Sequence, residues 1–96
     1  MDSDRAQGRV VAKVFELLGR RWQLRIIWEL RADALTFREL QARCDGVSPS
    51  VLSTRLAELR EAGIVEHDNG YRLTGAGVEL LELYPPISAW AARWNP

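Results

Sequence analysis

Apolar residues recur at helical spacing along most of the chain, with a period of about 3.6 residues. The first such segment predicts an amphipathic helix over about residues 5–18, which ends at Gly19. Its apolar stripe consists of Val10, Val14, Leu17 and Leu18. A second helix over about residues 22–31 is apolar around most of its circumference, which predicts burial on several sides. Its apolar positions are Trp22, Leu24, Ile26, Ile27, Trp28 and Leu30.

Two short helices joined by a tight turn follow, and the sequence marks the start of each. Thr36 and Glu39 have the S/T-x-x-E spacing of a capping box, in which each side chain bonds the other residue's backbone amide. Ser48 is a preferred N-cap residue, and Pro49 suits the first helical position. The intervening "DGV" suits a tight turn, so we predict a helix-turn-helix over about residues 36–62.

After these helices the pattern becomes that of β-structure. The stretch "IVEHDNGYRL" has β-forming flanks around Asn69-Gly70, which is a strong hairpin signal. This predicts a two-stranded wing over about residues 64–73. A final helical region over about residues 75–94 is broken or kinked by Pro85-Pro86.

The order of these elements predicts the fold class. It is mainly α with a short β-hairpin, organised as a single winged helix-turn-helix domain over residues 1–96.

The fourth helix opens with "VSPSVLSTR", whose hydroxyl residues are mediocre helix formers. With Leu52, Leu56 and Leu59 turned inward, a step of about 100° per residue points Ser50 and Thr54 outward. Small hydroxyl side chains allow close approach to a groove, and they can bond base edges or phosphate oxygens. We therefore predict DNA contacts from Ser48, Pro49, Ser50, Ser53, Thr54 and Arg55. An ordinary solvated helix face is the alternative interpretation.

Acidic residues set a limit on this surface. Glu58 and Glu61 are predicted to face outward in the C-terminal half of the same helix, where they would repel phosphates. Either the helix tilts so that only residues 48–55 enter the groove, or the affinity for DNA is low.

The composition restricts the kinds of ligand and the location that we expect for the protein. Thirteen basic residues balance thirteen acidic ones, so any anion-binding face must be local. A chain of 96 residues buries only about 60–65% of its unfolded surface, which favours oligomerisation. The chain has no apolar run of about 18 residues and begins with a polar segment unlike a signal peptide, so we expect a cytoplasmic, nucleoid-associated protein. We expect no metal and no cofactor, because the sequence has no Cys/His cluster.

Several motifs together resemble those of the HxlR-type winged-helix transcriptional regulators, a branch near the MarR regulators. "GRRW" is similar to the family's G-x-K-W, and "YRLT" to its Y-x-L-T. "VSPSVLSTRLAELREAGIVE" resembles its I-S-x-K-V-L-T-x-R-L-x-x-L-x-x-x-G-L-V-x, and "WAARW" fits its closing aromatic helix. The resemblance runs from about Val14 to Trp94.

The resemblance implies a dimeric DNA-binding repressor or activator that dimerises through its first and last helices. The apolar stripes agree with this, because a chain of this size buries four tryptophans poorly. We therefore predict a domain-swapped or helix-packed homodimer over helices 5–18 and 75–94, with contacts from Val10, Val14, Ile87, Trp90 and Trp94. Trp22 and Trp28 are predicted to lie in the core of one subunit.

The sequence also departs from the family pattern. Ser50 stands where the family commonly has Lys, and the wing is short, which leaves Asn69 and Arg72 as its DNA contacts. Many relatives carry a reactive cysteine near the N-terminus, but here Cys44 continues a buried helix face and is predicted to be structural. The lone His67 is predicted to lie on the surface.

Two functions from different classes follow. The first is a sequence-specific transcriptional regulator that binds a pseudo-palindromic operator as a homodimer through the major groove, with Thr36 and Arg38 holding the DNA backbone. The alternative is a winged-helix protein-interaction module with weak or lost DNA binding. A small hydrophobic effector enclosed by the tryptophan-rich interface is an addition to the first hypothesis. An enzyme is not expected, since no recognisable catalytic constellation is present.

Overall fold

The structure is a computed structural model that describes residues 2–94, so residues 1, 95 and 96 of the predicted domain lie outside it. In chain order its elements are α1 (Asp2–Leu18), α2 (Gln23–Glu29), α3 (Phe37–Arg43), α4 (Pro49–Glu61), β1 (Val65–His67), β2 (Tyr71–Leu73), α5 (Gly75–Leu81) and α6 (Tyr84–Trp94). The predicted fold class, mainly α with a short hairpin, is confirmed.

The core lies between α2, α3, α4 and the hairpin. Each element contributes the residues that its apolar spacing turns inward, and their burial supplies the main driving force for folding. The fully or almost fully buried apolar side chains are Ile26, Ile27, Leu30, Leu35, Leu40, Cys44, Val47, Leu52, Leu56, Leu59 and Val65.

Helix α2 is shorter and less enclosed than its sequence predicts. It begins after Trp22, whose backbone takes the left-handed conformation with φ of 81°. The prediction of burial was wrong for Leu24 and Trp28, which are 46% and 41% exposed. The helix fully buries only the face that carries Ile26 and Ile27, and within the described chain the other side is covered in part, where Tyr84 stacks on Trp28.

One polar side chain lies within this core. Gln23 is fully buried, and neither its amide nitrogen nor its amide oxygen has a hydrogen-bond partner among the described residues. A buried polar group without a partner costs about 1–3 kcal/mol. The sequence pattern did not predict the burial of Gln23, because this polar residue stands among the apolar residues of α2.

The predicted hairpin forms, and it is tied to the core. Strands β1 and β2 pair antiparallel with His67 opposite Tyr71, so three residues make the turn. Asn69 and Gly70 both have positive φ, of 54° and 122°. Tyr71 also forms a bridge with Leu35, through two backbone hydrogen bonds of 2.9 and 2.7 Å. This bridge fixes the wing beside the start of α3.

The break between α5 and α6 falls just before the two prolines. Residues 82–83 form a turn, and Pro85 and Pro86 occupy the first turn of α6. Proline is tolerated there because the first amides of a helix have no intrahelical partner. The sequence therefore predicted the interruption correctly.

Candidate nucleic-acid interface

Helix α4 has the predicted orientation. Leu52, Leu56 and Leu59 are buried, whereas Ser50, Ser53 and Thr54 are exposed. Ser48 caps the helix, since its hydroxyl accepts a hydrogen bond of 3.2 Å from the amide of Val51, and Pro49 occupies the first helical position. The N-terminal half of α4 therefore presents a surface of small side chains beside the amide end of a helix.

The hydroxyls of this surface are partly engaged in hydrogen bonds within the helix end itself. Thr54 Oγ1 donates to the carbonyl of Ser50 at 3.0 Å, and the oxygens of Ser48 and Ser50 lie 3.4 Å apart. The Thr54 hydroxyl therefore has its proton committed and can still accept a hydrogen bond. The exposed Ser53 and Ser50 side chains add only small volumes, so they do not obstruct a groove.

Helix α3, which precedes α4 in the chain, begins with the predicted capping box. Thr36 Oγ1 accepts from the amide of Glu39 at 3.1 Å, and the amide of Thr36 donates to Glu39 Oε1 at 2.9 Å. The backbone and side-chain hydrogen bonds from Thr36 lower the pKa of Glu39. Arg38 is exposed in the first turn, where it can approach a phosphate together with the N-terminal amides of α3.

Two residues of α4 differ from their predicted positions. Arg55 does not extend freely to the rim: its Nε donates to the carbonyl of Arg21 at 2.9 Å, and its Nη1 to Glu58 Oε1 at 2.5 Å. The expectation that Glu58 faces outward was wrong, because its side chain is only 23% exposed and also pairs with Arg20. This flank of α4 packs toward the α1–α2 junction. Glu61 is exposed, as expected.

The wing offers little positive charge to a DNA ligand. Asn69 is exposed at its tip, but Arg72 is half-buried and its Nη2 donates to the carbonyl of Asp68 at 2.6 Å. His67 is exposed, as predicted, and stacks on the ring of Tyr71 with centroids 4.0 Å apart. The two predicted wing contacts therefore lie at the hairpin, but Arg72 folds back along it.

Cys44 is buried at the end of α3, as predicted. Burial raises the pKa of its thiol, an effect that the nearby Arg25 partly opposes and Glu29 reinforces. A protonated, enclosed thiol is a poor nucleophile. The structure therefore favours a structural role over a sensing one.

The first and last helices leave apolar faces uncovered within the described chain. On α1, Val10 is 60% exposed, and Val11, Val14 and Phe15 lie beside it. On α6, Ile87, Trp90 and Trp94 are all more than half exposed, and the two indole rings stack with centroids 5.3 Å apart. These residues include all five that the sequence predicted at a dimer interface.

An aromatic cleft separates α2 from α6. Its volume is about 340 Å³, and its walls are Trp28, Tyr84, Pro85 and Ser88. The rings of Trp28 and Tyr84 stack with centroids 5.7 Å apart, and Tyr84 donates to the carbonyl of Leu24 at 2.8 Å. Burial raises the pKa of Tyr84 to about 12, so its hydroxyl stays protonated at neutral pH.

Other kinds of site find no support in the described part of the chain. Among residues 2–94, no group of three or more His, Cys, Asp or Glu side chains is arranged to hold a metal ion. Over the same residues, every helix is too short or too polar to cross a bilayer.

Comparison with known proteins places this geometry in a family. A model of the HxlR-like helix-turn-helix family matches residues 17–96. The uncharacterized HTH-type transcriptional regulator YvaP of Bacillus subtilis is 33% identical over an alignment of 90 residues, and the match covers 85% of this chain and 83% of YvaP.

Solved structures agree with the sequence matches. The crystal structure of quinone-bound YodB from B. subtilis is 32% identical and superposes with a TM-score of 0.85, covering 88% of this chain and 98% of YodB. A regulator of the MarR family from Enterococcus faecalis shares the fold, with a TM-score of 0.82 at 23% identity over 92% of this chain and 87% of its own. The chain therefore belongs to the HxlR-like helix-turn-helix family of transcriptional regulators.

Proposed function

We propose that the protein regulates transcription as a homodimer that binds a pseudo-palindromic DNA site through the major groove. The observation that carries this proposal is the exposed hydroxyl surface of Ser50, Ser53 and Thr54, at the N-terminal half of a helix whose leucines are buried. Small polar side chains allow the helix to lie deep in a groove, where hydroxyls bond base edges. Ser48 and Pro49 bring the free amides of the helix end toward a phosphate.

The start of α3 supplies the contacts that would hold the DNA backbone. Thr36 uses its oxygen as an acceptor in the cap, so its proton is available to a phosphate oxygen. The exposed Arg38 adds a positive charge next to it. Glu61 is exposed farther along α4, so the helix must enter the groove by its N-terminal half. Asn69 and Arg72 complete the proposed contacts at the wing.

Dimerisation would give the two recognition helices their spacing. The exposed apolar faces of α1 and α6 are the surfaces that a second copy of the chain would cover. A two-fold axis through such an interface presents α4 twice, and successive major grooves lie about 34 Å apart on one side of a duplex. A protein bound in this way would be found with the nucleoid in the cytoplasm.

A substitution at Ser50 tests the DNA-binding surface, and Ala76 provides a matched control. Both residues are exposed at the second position of a helix capped by a hydroxyl, so glutamate should not disturb either helix end. We expect Ser50→Glu to weaken binding to selected DNA fragments about 10-fold or more, because a charge near a phosphate costs about 1–4 kcal/mol. Ala76→Glu should bind like the wild type. Titration by fluorescence anisotropy at several salt concentrations measures both affinities.

Two results would contradict this proposal in different ways. Equal affinities for the two variants would show that the surface around Ser50 does not contact DNA. If the wild type failed to bind any fragment of a genomic pool even at low salt, DNA binding itself would be excluded. The winged-helix interaction module would then become the better hypothesis, which the zero net charge and the folded-back Arg72 already favour.

We also propose a flat apolar effector for the aromatic cleft. YodB has been solved with a bound quinone. In this chain Tyr84 and the guanidinium of Arg31 both lie against the ring of Trp28, so the cleft offers a planar ring the aromatic edges of Trp28 and Tyr84 together with Pro85. Equilibrium dialysis with menadione should show saturable binding that Trp28→Leu weakens about 10-fold or more, a loss of about 1.4 kcal/mol. Leu83→Ala, a change at an exposed apolar residue outside the cleft lining, should leave it unchanged. Binding that is equal in both variants would argue against this site.

A further inference from the structure

Side-chain hydrogen bonds connect the junction between α1 and α2, residues 19–22, to α4, the proposed recognition helix. Glu58 of α4 accepts hydrogen bonds on both carboxylate oxygens, from Arg20 of the junction and from Arg55 of its own helix. Arg55 in turn donates from Nε to the carbonyl of Arg21 at 2.9 Å. Two hydrogen bonds therefore join α4 to the junction. The Glu58 carboxylate accepts one of them and holds the side chain of Arg55, which donates the other.

The partial burial of Arg55 and Glu58 makes their hydrogen bonds stronger than those of a typical surface ion pair. The side chains of Arg55 and Glu58 are only 22% and 23% exposed. Partly desolvated, charge-assisted hydrogen bonds are shorter and stronger than neutral ones. By contrast, the pair between Arg20 and Glu16 on α1 is longer, at 3.8 Å, and Glu16 is largely exposed.

The backbone of the junction contributes little rigidity of its own. The amide of Gly19 donates to the carbonyl of Phe15 at 2.8 Å where α1 ends, but the bonds that follow, from the amides of Arg20 and Gln23, are longer, at 3.4 and 3.2 Å. Trp22 takes a left-handed conformation that only a minority of non-glycine residues adopt. Apart from the half-buried side chain of Trp22, which packs against the core, the contacts with α4 hold the junction in place.

We infer that Glu58 is a positioning residue that fixes the angle between α1 and α4, and thereby sets the distance between the two recognition helices of the dimer. The second part rests on the proposed function, because it requires that α1 lies in the interface. Glu58 acts through Arg20 and Arg55 and touches no DNA itself.

Helix α1 is long enough for a small rotation at the junction to change the distance between the two recognition helices. Helix α1 has 17 residues, which correspond to about 25 Å of helix. A rotation of roughly 10° at the junction would displace its far end by about 4 Å, which exceeds the 3.4 Å rise of one base pair. A small change at Glu58 is therefore sufficient to shift the half-site spacing that a dimer can bind.

Glu58→Gln and Glu61→Gln form a matched pair of variants for the test. Each removes one negative charge from the C-terminal half of α4, but only Glu58 bridges to the junction. Spin labels at Gln7→Cys on α1 and Ala57→Cys on α4 report the distance between the helices, with labelled chains diluted into excess unlabelled chain. Cys44 is buried and needs no replacement.

We expect Glu58→Gln to broaden the distance distribution and to shift its mean by about 4 Å, while Glu61→Gln leaves the distribution unchanged. Arg20→Met is a second variant that removes the junction's side of the bridge and leaves α4 intact, and it should reproduce the broadening. A distribution in Glu58→Gln that matches Glu61→Gln would overturn the inference.

A DNA measurement separates this inference from a competing one. In a selection from paired half-sites with variable separation, Glu58→Gln should lose the wild-type preference for one separation, and Glu61→Gln should keep it. The competing role of Glu58 is to keep Arg55 away from DNA phosphates. In that case Glu58→Gln would bind DNA more tightly than Glu61→Gln at the same half-site separation, and the inference would fail. If no DNA bound to the wild type, the proposed function would fail, while the distance measurement would still decide the role of Glu58.

Discussion

Gly77→Ala is expected to lower the free energy of unfolding by about 3 kcal/mol, which corresponds to a fall in melting temperature of roughly 15 °C for a domain of this size. Gly77 is the buried residue of α5, and a Cβ atom there would overlap the carbonyl oxygen of Ile64. The same atom would lie 3.2 Å from two side-chain carbons of Leu73. Because the obstacle is backbone, it cannot move aside as a flexible side chain would.

Gly75 provides the control for this prediction. It lies two residues earlier in the same helix, and nothing stands within 4 Å of the position that its Cβ would take. Gly75→Ala should be neutral or stabilising by up to about 1 kcal/mol, because alanine restricts the unfolded chain more than glycine does. Thermal and urea unfolding of the two variants measures the difference. Similar stabilities would show that α5 does not pack closely against the strand ends.

The second large effect is expected at the proposed dimer interface. Val10→Glu should weaken self-association by on the order of 100-fold, because an unpaired carboxylate buried at an apolar contact costs several kcal/mol. Val10 is 60% exposed in one subunit, so the substitution should not affect the core. Loss of the dimer should also remove most of the affinity for a two-part DNA site, since the second half-site would no longer be bound intramolecularly.

Val78→Glu is the matched variant, because Val78 is 48% exposed. It lies within the segment 75–94 predicted to dimerise, but its side chain borders Arg72 and Leu73 of the hairpin and not the apolar faces of α1 and α6. It should dimerise like the wild type. Sedimentation velocity over a range of concentrations measures the mass of each variant, and anisotropy measures DNA affinity. If Val10→Glu and Val78→Glu sediment alike, α1 is not at the interface.

Features encoded within a few residues could be predicted from the sequence. The capping box of Thr36 and Glu39, the Ser48 cap and the turn at Asn69-Gly70 depend on local geometry, and the structure contains all three. The leucine stripe of α4 was equally clear, because a helix places residues three and four apart on one face. These signals were sufficient for the fold and for the outward hydroxyl surface.

Features that depend on which surfaces meet could not be predicted in this way. A helical projection places Glu58 away from the leucines, but it cannot show that this flank packs against the α1–α2 junction. The same limitation applies to Leu24 and Trp28, whose apolar side chains suggested burial although no described element covers them completely. The spacing of Arg55 and Glu58, three residues apart, was the one local signal that could have indicated their ion pair.

The enclosed Cys44 has a consequence for how long any signal could last. The chain has one cysteine, and its thiol is buried and held in the protonated form. Oxidants and electrophiles react with accessible thiolates, so we expect no lasting covalent modification of Cys44. A response through the effector proposed for the aromatic cleft would instead follow the concentration of that molecule, and it would end when the molecule dissociates, without a reductase.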